Sequence, residues 1–292
     1  MTDMPAFKTI ALIGRYQSSG VSDSLRKLGA FLRDRGCEVL LEKETVASSG
    51  VREFPGADYA TVGAQANLAV VLGGDGSILH AARNLANYSV PLVGVNQGRL
   101  GFMTDIAASS MYENMQSLLD GKYALEERTL LASEVHRGGR SIFGAVALND
   151  VVVNKGAVGR LVEFLVHVDG QFVYDLRADG LIVATPSGST AYALSSNGPI
   201  IQPSVPGFAL VPICPHTLSN RPITVSDRCV IDITLKRAPD ARFHFDGQPQ
   251  FDLAEGDRVV VRRAERTITF VHPPDYSYFA MLREKLHWSG TY

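Results

Sequence analysis

Val70-Val71-Leu72-Gly73-Gly74-Asp75-Gly76-Ser77 carries an apolar strand into three glycines and one acid, and Ile78 to Leu85 continues with helical spacing. Strand, glycine turn and helix together build phosphate sites. Glycines let backbone N–H groups approach an anion, and a helix N-terminus adds partial positive charge. The acid is the unusual part. A carboxylate beside phosphates is repelled unless it takes a proton, holds a metal or bonds a hydroxyl. The string therefore supports an acid working on a phosphate-bearing molecule. It equally supports a tight strand-to-helix turn in which Asp75 caps the helix.

Working outward, Phe7–Gly14 reads as a buried strand. Ser22–Arg35 has helical spacing at Leu25, Leu28 and Leu32 and stops at Gly36. Glu38–Leu41, Leu68–Leu72 and Pro91–Val95 read as further strands, the last running into Asn96-Gln97-Gly98-Arg99-Leu100-Gly101-Phe102. Strands alternating with helices imply βαβ units and a parallel sheet. Ligands of such sheets bind beyond the carboxyl ends of the strands, where both glycine-rich loops fall.

Near residue 124 the pattern changes to strands: Ala145–Val153, Leu161–Val168, Gln171–Tyr174, Leu181–Thr185, Cys229–Leu235, Arg242–Phe245, Arg258–Arg262 and Thr267–Val271. Asp169-Gly170 is a hairpin-turn signal. The expected fold is an α/β N-terminal domain with a parallel sheet, residues 1–123. A β-rich, mostly antiparallel C-terminal domain follows, residues 124–277. Tyr278–Leu286 has helical character, and the tail 278–292 is expected to pack back on the first domain.

A chain of 292 residues that is 46% hydrophobic and 20% charged can bury a sizeable core. Its net charge of −2, from 28 basic and 30 acidic residues, argues against a general nucleic-acid or membrane-surface binder. Cys37, Cys214 and Cys229 are odd in number and fit no zinc spacing, so disulfides are not expected. Met1–Lys8 has no apolar signal stretch and no run reaches membrane-spanning length, so the expected location is the cytoplasm.

Three polar clusters stand out. In Leu148-Asn149-Asp150 an Asn-Asp pair offers donors and acceptors that suit a ribose diol or an adenine edge; an ordinary strand-edge turn is the simpler reading. From Arg177-Ala178-Asp179-Gly180 through Thr185-Pro186-Ser187-Gly188-Ser189-Thr190-Ala191-Tyr192-Ala193-Leu194-Ser195, an acid and a run of small hydroxyl residues bracket a short strand. Small residues let a ligand lie against backbone, and Tyr192 can stack on a ring. Phe245-Asp246-Gly247-Gln248 reads first as a plain hairpin turn. A Walker A loop, G-x-G-x-x-G after the first strand, kinase H-R-D and D-F-G sets, a G-x-S-x-G elbow and zinc-type histidine spacing are all absent.

Taken together, Gly73-Gly74-Asp75-Gly76-Ser77, Asn96-x-Gly98-x-Leu100-Gly101-Phe102, Asn149-Asp150 and Asp179-Gly180 through Thr190-Ala191-Tyr192 resemble the NAD kinases, bacterial type, from the first strand to Gln248. The G-G-D-G element alone is shared with phosphofructokinases and lipid kinases. The Thr-Pro-Ser-Gly-Ser-Thr-Ala-Tyr run is much more specific. Where the family often has Asn-Glu, this chain has Asn149-Asp150.

The resemblance implies an active site between the two domains and transfer of a phosphoryl group from ATP to the adenosine-ribose 2′-hydroxyl of NAD, giving NADP. It makes Asp75 the proton acceptor, with Gly76 against the substrate and Gly73, Gly74, Gly76 and Ser77 as the phosphate loop. Asn149 and Asp150 would hold NAD, with Asp179, Thr190, Ala191, Tyr192, Ala193, Leu194 and Ser195 completing its pocket. Arg160, Arg177 and Gln248 fall at further NAD contacts, and His80 at a position where some members carry a basic contact. Mg²⁺ is expected to arrive with ATP, no residue being named as its ligand, and a homodimer or homotetramer is expected. Two alternatives are another G-G-D-G kinase acting on a lipid or sugar phosphate, and a dinucleotide sensor without turnover. The Asn-Asp and Thr-Ala-Tyr clusters oppose the first. The retained acid opposes the second, since a sensor needs no base.

Overall fold

The computed structural model describes residues 6–14, 21–98, 101–156, 160–217 and 219–288. Arg99 and Leu100 of the second glycine-rich loop and residues 289–292 of the expected tail lie outside them. The chain forms two compact units, 1–127 with 268–292, and 128–267. The end of the last strand, Ile268–His272, thus belongs to the first unit rather than to the second domain as expected from the sequence.

The first unit runs β1 (Thr9–Gly14), α1 (Val21–Arg33), β2 (Glu38–Glu42), α2 (Lys43–Ser49), β3 (Gly56–Ala57) and α3 (Tyr59–Gln65). It continues with β4 (Leu68–Leu72), α4 (Asp75–Leu85), β5 (Leu92–Asn96), β6 (Ile106–Ala107) and α5 (Met111–Leu119). β7 (Ala124–Arg137) leads into the second unit. That unit adds β8 (Arg140–Ala147), β9 (Asp150–Lys155), β10 (Val162–Val168), β11 (Gln171–Ala178), β12 (Gly180–Ala184) and α6 (Tyr192–Ser195). After these come β13 (Gly207–Ile213), β14 (Ile223–Ser226), β15 (Ile231–Arg237), β16 (Ala241–Phe245), β17 (Gln248–Leu253) and β18 (Arg258–His272). The helix α7 (Tyr278–Leu286) closes the chain in the first unit.

In the first unit β3, β2, β1, β4 and β5 pair in that order, all parallel, and Phe270 near the end of β18 pairs with Leu92 of β5. The sheet is parallel as expected. Every residue of β1, β4 and β5 is buried, which is why these strands read as continuous apolar runs. Leu25, Leu28 and Leu32 of α1 pack with Ile10, Leu12, Val70, Leu72, Val93 and Val95. Burying each such side chain is worth ~1.5–3 kcal/mol.

The second unit is antiparallel throughout, again as expected. β14, β13, β12, β9, β16 and β17 form one sheet, and β11, β10, β15 and the first part of β18 pair in a row. Val151, Val153, Leu181, Val183, Phe208, Leu210 and Phe243 join one core. The alternate residues Val152, Ile182, Ala184, Ala209 and Val211 pack on Ala193 and Ile201. The middle strands are therefore buried on both faces, with the Thr185–Ser195 segment on one of them. Asp169 and Gly170, at φ 50° and 75°, make the two-residue hairpin the sequence signalled.

Two strand readings are corrected. Ala145–Val153 is not one strand: β8 ends at Ala147 and pairs with β7, whereas β9 starts at Asp150 and enters the other sheet. Arg258–Arg262 and Thr267–Val271 are not two strands but the single β18, whose charged middle is held by Arg262–Glu134 and Arg263–Asp227 ion pairs.

Candidate active site

β4 delivers its chain to the glycine loop in register with β1 and β5, and the Gly73 N–H extends that ladder to the Val95 carbonyl at 2.9 Å. Gly74 is then extended, and α4 begins at Asp75, three residues before the helix expected from the sequence. Gly74 is the N-cap and makes no side-chain cap bond. The capping reading of Asp75 is thereby overturned. The acid occupies the first turn of α4, where the helix dipole favours negative charge, and its carboxylate points to another loop.

That loop is the second glycine-rich segment. Asp75 Oδ2 accepts the Phe102 N–H at 2.8 Å and Oδ1 accepts the Met103 N–H at 3.1 Å. A Cβ on Gly101 would overlap Asp75 Oδ1, so any larger residue there must displace the carboxylate or the loop. Thr104 Oγ1 braces the turn, accepting from Asn96 Nδ2 at 2.8 Å and from the Gly101 N–H at 2.9 Å. Gly73, Gly74, Gly76 and Ser77 lie at the strand-to-helix turn, with Ser77 buried. His80, on the next turn of α4, meets Tyr59 edge-on at 5.8 Å and lies 3.9 Å from Glu44. All these groups belong to the first unit.

In the second unit the Asn-Asp pair is not an ordinary strand edge. Asp246, buried in the Asp-Gly turn at φ 47°, accepts the N–H groups of Leu148 at 3.1 Å, Asn149 at 2.7 Å and Asp150 at 3.3 Å. Thr185 grips the same residues from the other side: its hydroxyl donates to the Leu148 carbonyl at 2.5 Å and its N–H to the Asn149 carbonyl at 2.9 Å. These bonds end β8 and begin β9, which is the physical reason the apolar run is broken. A Cβ on Gly188 would overlap the Asn149 carbonyl, so the small-residue run lies against the Asn-Asp backbone. The turn reading of Asp246-Gly247 is correct and incomplete. Gln248 opens β17 opposite Phe245.

This scaffold leaves two buried polar side chains at the start of β9, Asn149 and Asp150. Asn149 Oδ1 has no hydrogen-bond partner among the described residues. Burial, and then the Asp246 charge, push the Asp150 carboxyl up to about 7. Burial raises the Tyr192 phenol as well, with smaller contributions from Cys214, Asp179 and Asp150, so these groups share one neighbourhood. Asp179 is paired with Lys155 at 2.8 Å.

Tyr192 and Ser195 line a pocket of about 630 Å³ with Cys214, Asn220 and Arg221 among others. Thr190, Ala191, Ala193 and Leu194 carry the turn and short helix that place them. The hydroxyls of Thr185 and Ser189 donate to the Leu148 carbonyl and to the Pro186 and Ile201 carbonyls, and the Ser187 oxygen accepts from Arg128. Arg160 and Arg177 line a different pocket, of about 350 Å³, with Arg237. Glu163 lies 3.7 Å from Arg177 and 3.9 Å from Arg237.

The sequence reading missed the Pro212–Pro215 and Asn220–Pro222 walls of the larger pocket. Two prolines around Cys214, whose φ is 43°, were the available signal. It also missed Asp246 as a scaffold acid and Arg237.

Residues 10–123 match the model of the ATP-NAD kinase N-terminal domain and residues 148–273 that of the ATP-NAD kinase C-terminal domain. An NAD kinase of Aromatoleum aromaticum is 53% identical over 98% of this chain and 95% of its own length. Those of Azoarcus sp. and Thiobacillus denitrificans are 52% and 51% identical, covering 98% and 97% of this chain and 97% of each relative. The fold matches that of yeast NADH kinase complexed with NADH at a TM-score of 0.90 and 24% identity, over 99% of this chain and 89% of the other. It also matches an Archaeoglobus fulgidus NAD kinase in complex with ATP, at a TM-score of 0.75 and 23% identity over 97% and 100%.

Proposed function

The chain belongs to the NAD kinase family, and we propose that it moves the γ-phosphoryl group of ATP onto the 2′-hydroxyl of the adenosine ribose of NAD, with Asp75 as the proton acceptor. The observation that supports this role is the Asp75 carboxylate itself, fixed by two backbone N–H groups at the head of α4. A carboxylate has about four lone-pair sites, so two N–H bonds leave room for a substrate hydroxyl.

Phosphoryl transfer is catalysed by positioning and charge neutralisation. The ribose oxygen bonds to the γ-phosphorus as the bond to the ADP oxygen breaks, and the hydroxyl proton passes to Asp75. Such a base is worth ~10²–10⁴-fold. The peptide N–H groups of Gly74, Asp75 and Gly76 at the head of α4 suit phosphate oxygens, whereas those of Gly73 and Ser77 bond the Val95 and Gly74 carbonyls. A divalent ion that enters bound to ATP is part of the substrate. Mg²⁺ in that role supplies positive charge at the phosphates.

Asn149 Oδ1 fits an amino donor such as that of adenine, and Asp150 fits a ribose diol. Tyr192 offers its ring face beside them. Asp179, Thr190, Ala191, Ala193, Leu194, Ser195 and Gln248 complete the NAD site in this reading, with Arg160, Arg177 and His80 as outer contacts. The enzyme is read as a cytoplasmic homodimer or homotetramer; no helix among the described residues is long and apolar enough to cross a membrane. The test is NADP formation from NAD, ATP and Mg²⁺ by purified protein, with Asp75→Asn alongside. Turnover that collapses in the variant supports the reading, and no NADP from folded wild type overturns it.

A further inference from the structure

The loop that holds Asp75 is itself held at its far end. Asp105 follows Thr104 directly, and its carboxylate is hydrogen-bonded to His272 Nδ1. The other ring nitrogen, Nε2, meets Glu126 Oε2 at 2.9 Å. His272 is 2% exposed and Asp105 9% at the side chain, so this contact is closed to water. Tyr276 covers the ring face in a parallel stack at 3.8 Å, and Phe270 of the same strand stacks at 6.3 Å. Among the described residues, Asp105, Glu126 and the Tyr276 phenol are the titratable groups that face the ring, from the loop before β6, from β7 and from the turn before α7. All belong to the first unit.

A neutral imidazole has one donor and one acceptor, so it satisfies one carboxylate and repels the lone pairs of the other. Only the imidazolium donates to both. Burial disfavours that charge, but the hydrogen bonds and charges of Asp105 and Glu126 outweigh it and raise the ring above its ordinary value. Desolvation offsets much of the Coulombic gain of a buried ion pair, so its fixed geometry and not added stability is the feature to follow. Here the geometry it fixes is the end of the segment whose Phe102 and Met103 N–H groups fix Asp75.

We propose that His272 is a positioning residue for the phosphoryl transfer: through Asp105 it fixes the loop that aims the Asp75 carboxylate at the substrate hydroxyl. This rests on the reading of Asp75 as the proton acceptor. A misplacement of about 1 Å at a reacting group can cost ~10²-fold. The role is therefore expected in kcat and not in substrate affinity.

The experiment compares wild type, His272→Gln, Asp105→Asn and Asp75→Asn in steady-state kinetics from pH 6 to 10, with folding checked by circular dichroism. His272→Gln should lower kcat at least tenfold while KM for NAD and for ATP stay within twofold. Wild-type kcat should fall on the alkaline side as the imidazolium is lost. Asp105→Asn, which keeps the size and removes one charge, should move that limb to lower pH by at least half a unit. A folded His272→Gln protein with kcat within twofold of wild type, or with its defect in KM, overturns the proposal. So does an alkaline limb unmoved in Asp105→Asn, which decides alone if His272→Gln does not fold. Full activity in Asp75→Asn is a separate outcome: it removes the base and leaves the His272 kinetics to be explained without it, whereas a dead Asp75→Asn with a normal His272→Gln refutes the positioning role alone.

Discussion

The Asp75 carboxylate and the Phe102 backbone N–H, 2.8 Å apart, join the two glycine-rich loops of the first unit into one device. The first loop carries the acid and the second orients it. Gly101 of the second loop packs directly against the carboxylate, so Gly101→Ala must push the loop or the carboxylate aside. The expected result is a kcat reduced at least tenfold with KM for NAD little changed. A variant with wild-type kcat contradicts the pairing as a working element.

Asp246 is the matching device of the second unit, since it accepts three consecutive backbone N–H groups. An unpaired buried N–H costs ~1–3 kcal/mol. Asp246→Ala is therefore expected to lose at least ~2 kcal/mol in urea unfolding and to raise KM for NAD. Asp246→Asn, which keeps one acceptor oxygen, should lose less. Equal stability of Asp246→Ala and wild type contradicts the scaffold role.

Asn149 Oδ1 is buried without a partner among the described residues. An unsatisfied acceptor weakens the free protein and waits for a donor. Asn149→Ala should leave thermal stability unchanged or slightly raised and weaken NAD binding at least tenfold in calorimetry. Loss of stability with intact NAD affinity would show the amide to be structural.

Asp150 titrates at about 7 in the free protein because burial and the Asp246 charge oppose its anion. Its folded value lies above the unfolded one, so its contribution to stability is present at low pH and is lost as pH rises from about 4 through 7. Ribose hydroxyls donate to the carboxylate form, so NAD binding expels a proton. Affinity for NAD should rise with pH up to about 7 and then level off, and Asp150→Asn should flatten the dependence. An affinity independent of pH from 5.5 to 8 in wild type opposes Asp150 as a ribose acceptor.

Much of this was legible in the sequence because local chemistry and burial agree there. β4 ends where its apolar run meets Gly73, and α1 shows its core face at Leu25, Leu28 and Leu32. What escaped is set by partners far along the chain. Ala145–Val153 reads as one strand, and it is broken by Thr185 and by Asp246, the latter about a hundred residues on. β18 was split by its Arg262-to-Arg266 stretch, in which Arg262 finds Glu134 of β7 and Arg263 finds Asp227 just after β14. The first half of β7 carries Glu126, Glu127 and Arg128 in a row, too polar to suggest a strand. The His272 cluster joins residues 146 and 167 positions apart, so no window of sequence contains it.

The most direct measurement is single-turnover conversion of NAD to NADP by Asp75→Asn against wild type, with ATP and Mg²⁺ saturating and NAD affinity measured separately. The expected result is a transfer rate reduced ~10²–10⁴-fold with NAD affinity within a few fold of wild type. A transfer rate within threefold of wild type contradicts the assignment of Asp75 as the proton acceptor and, with it, the account of both glycine-rich loops.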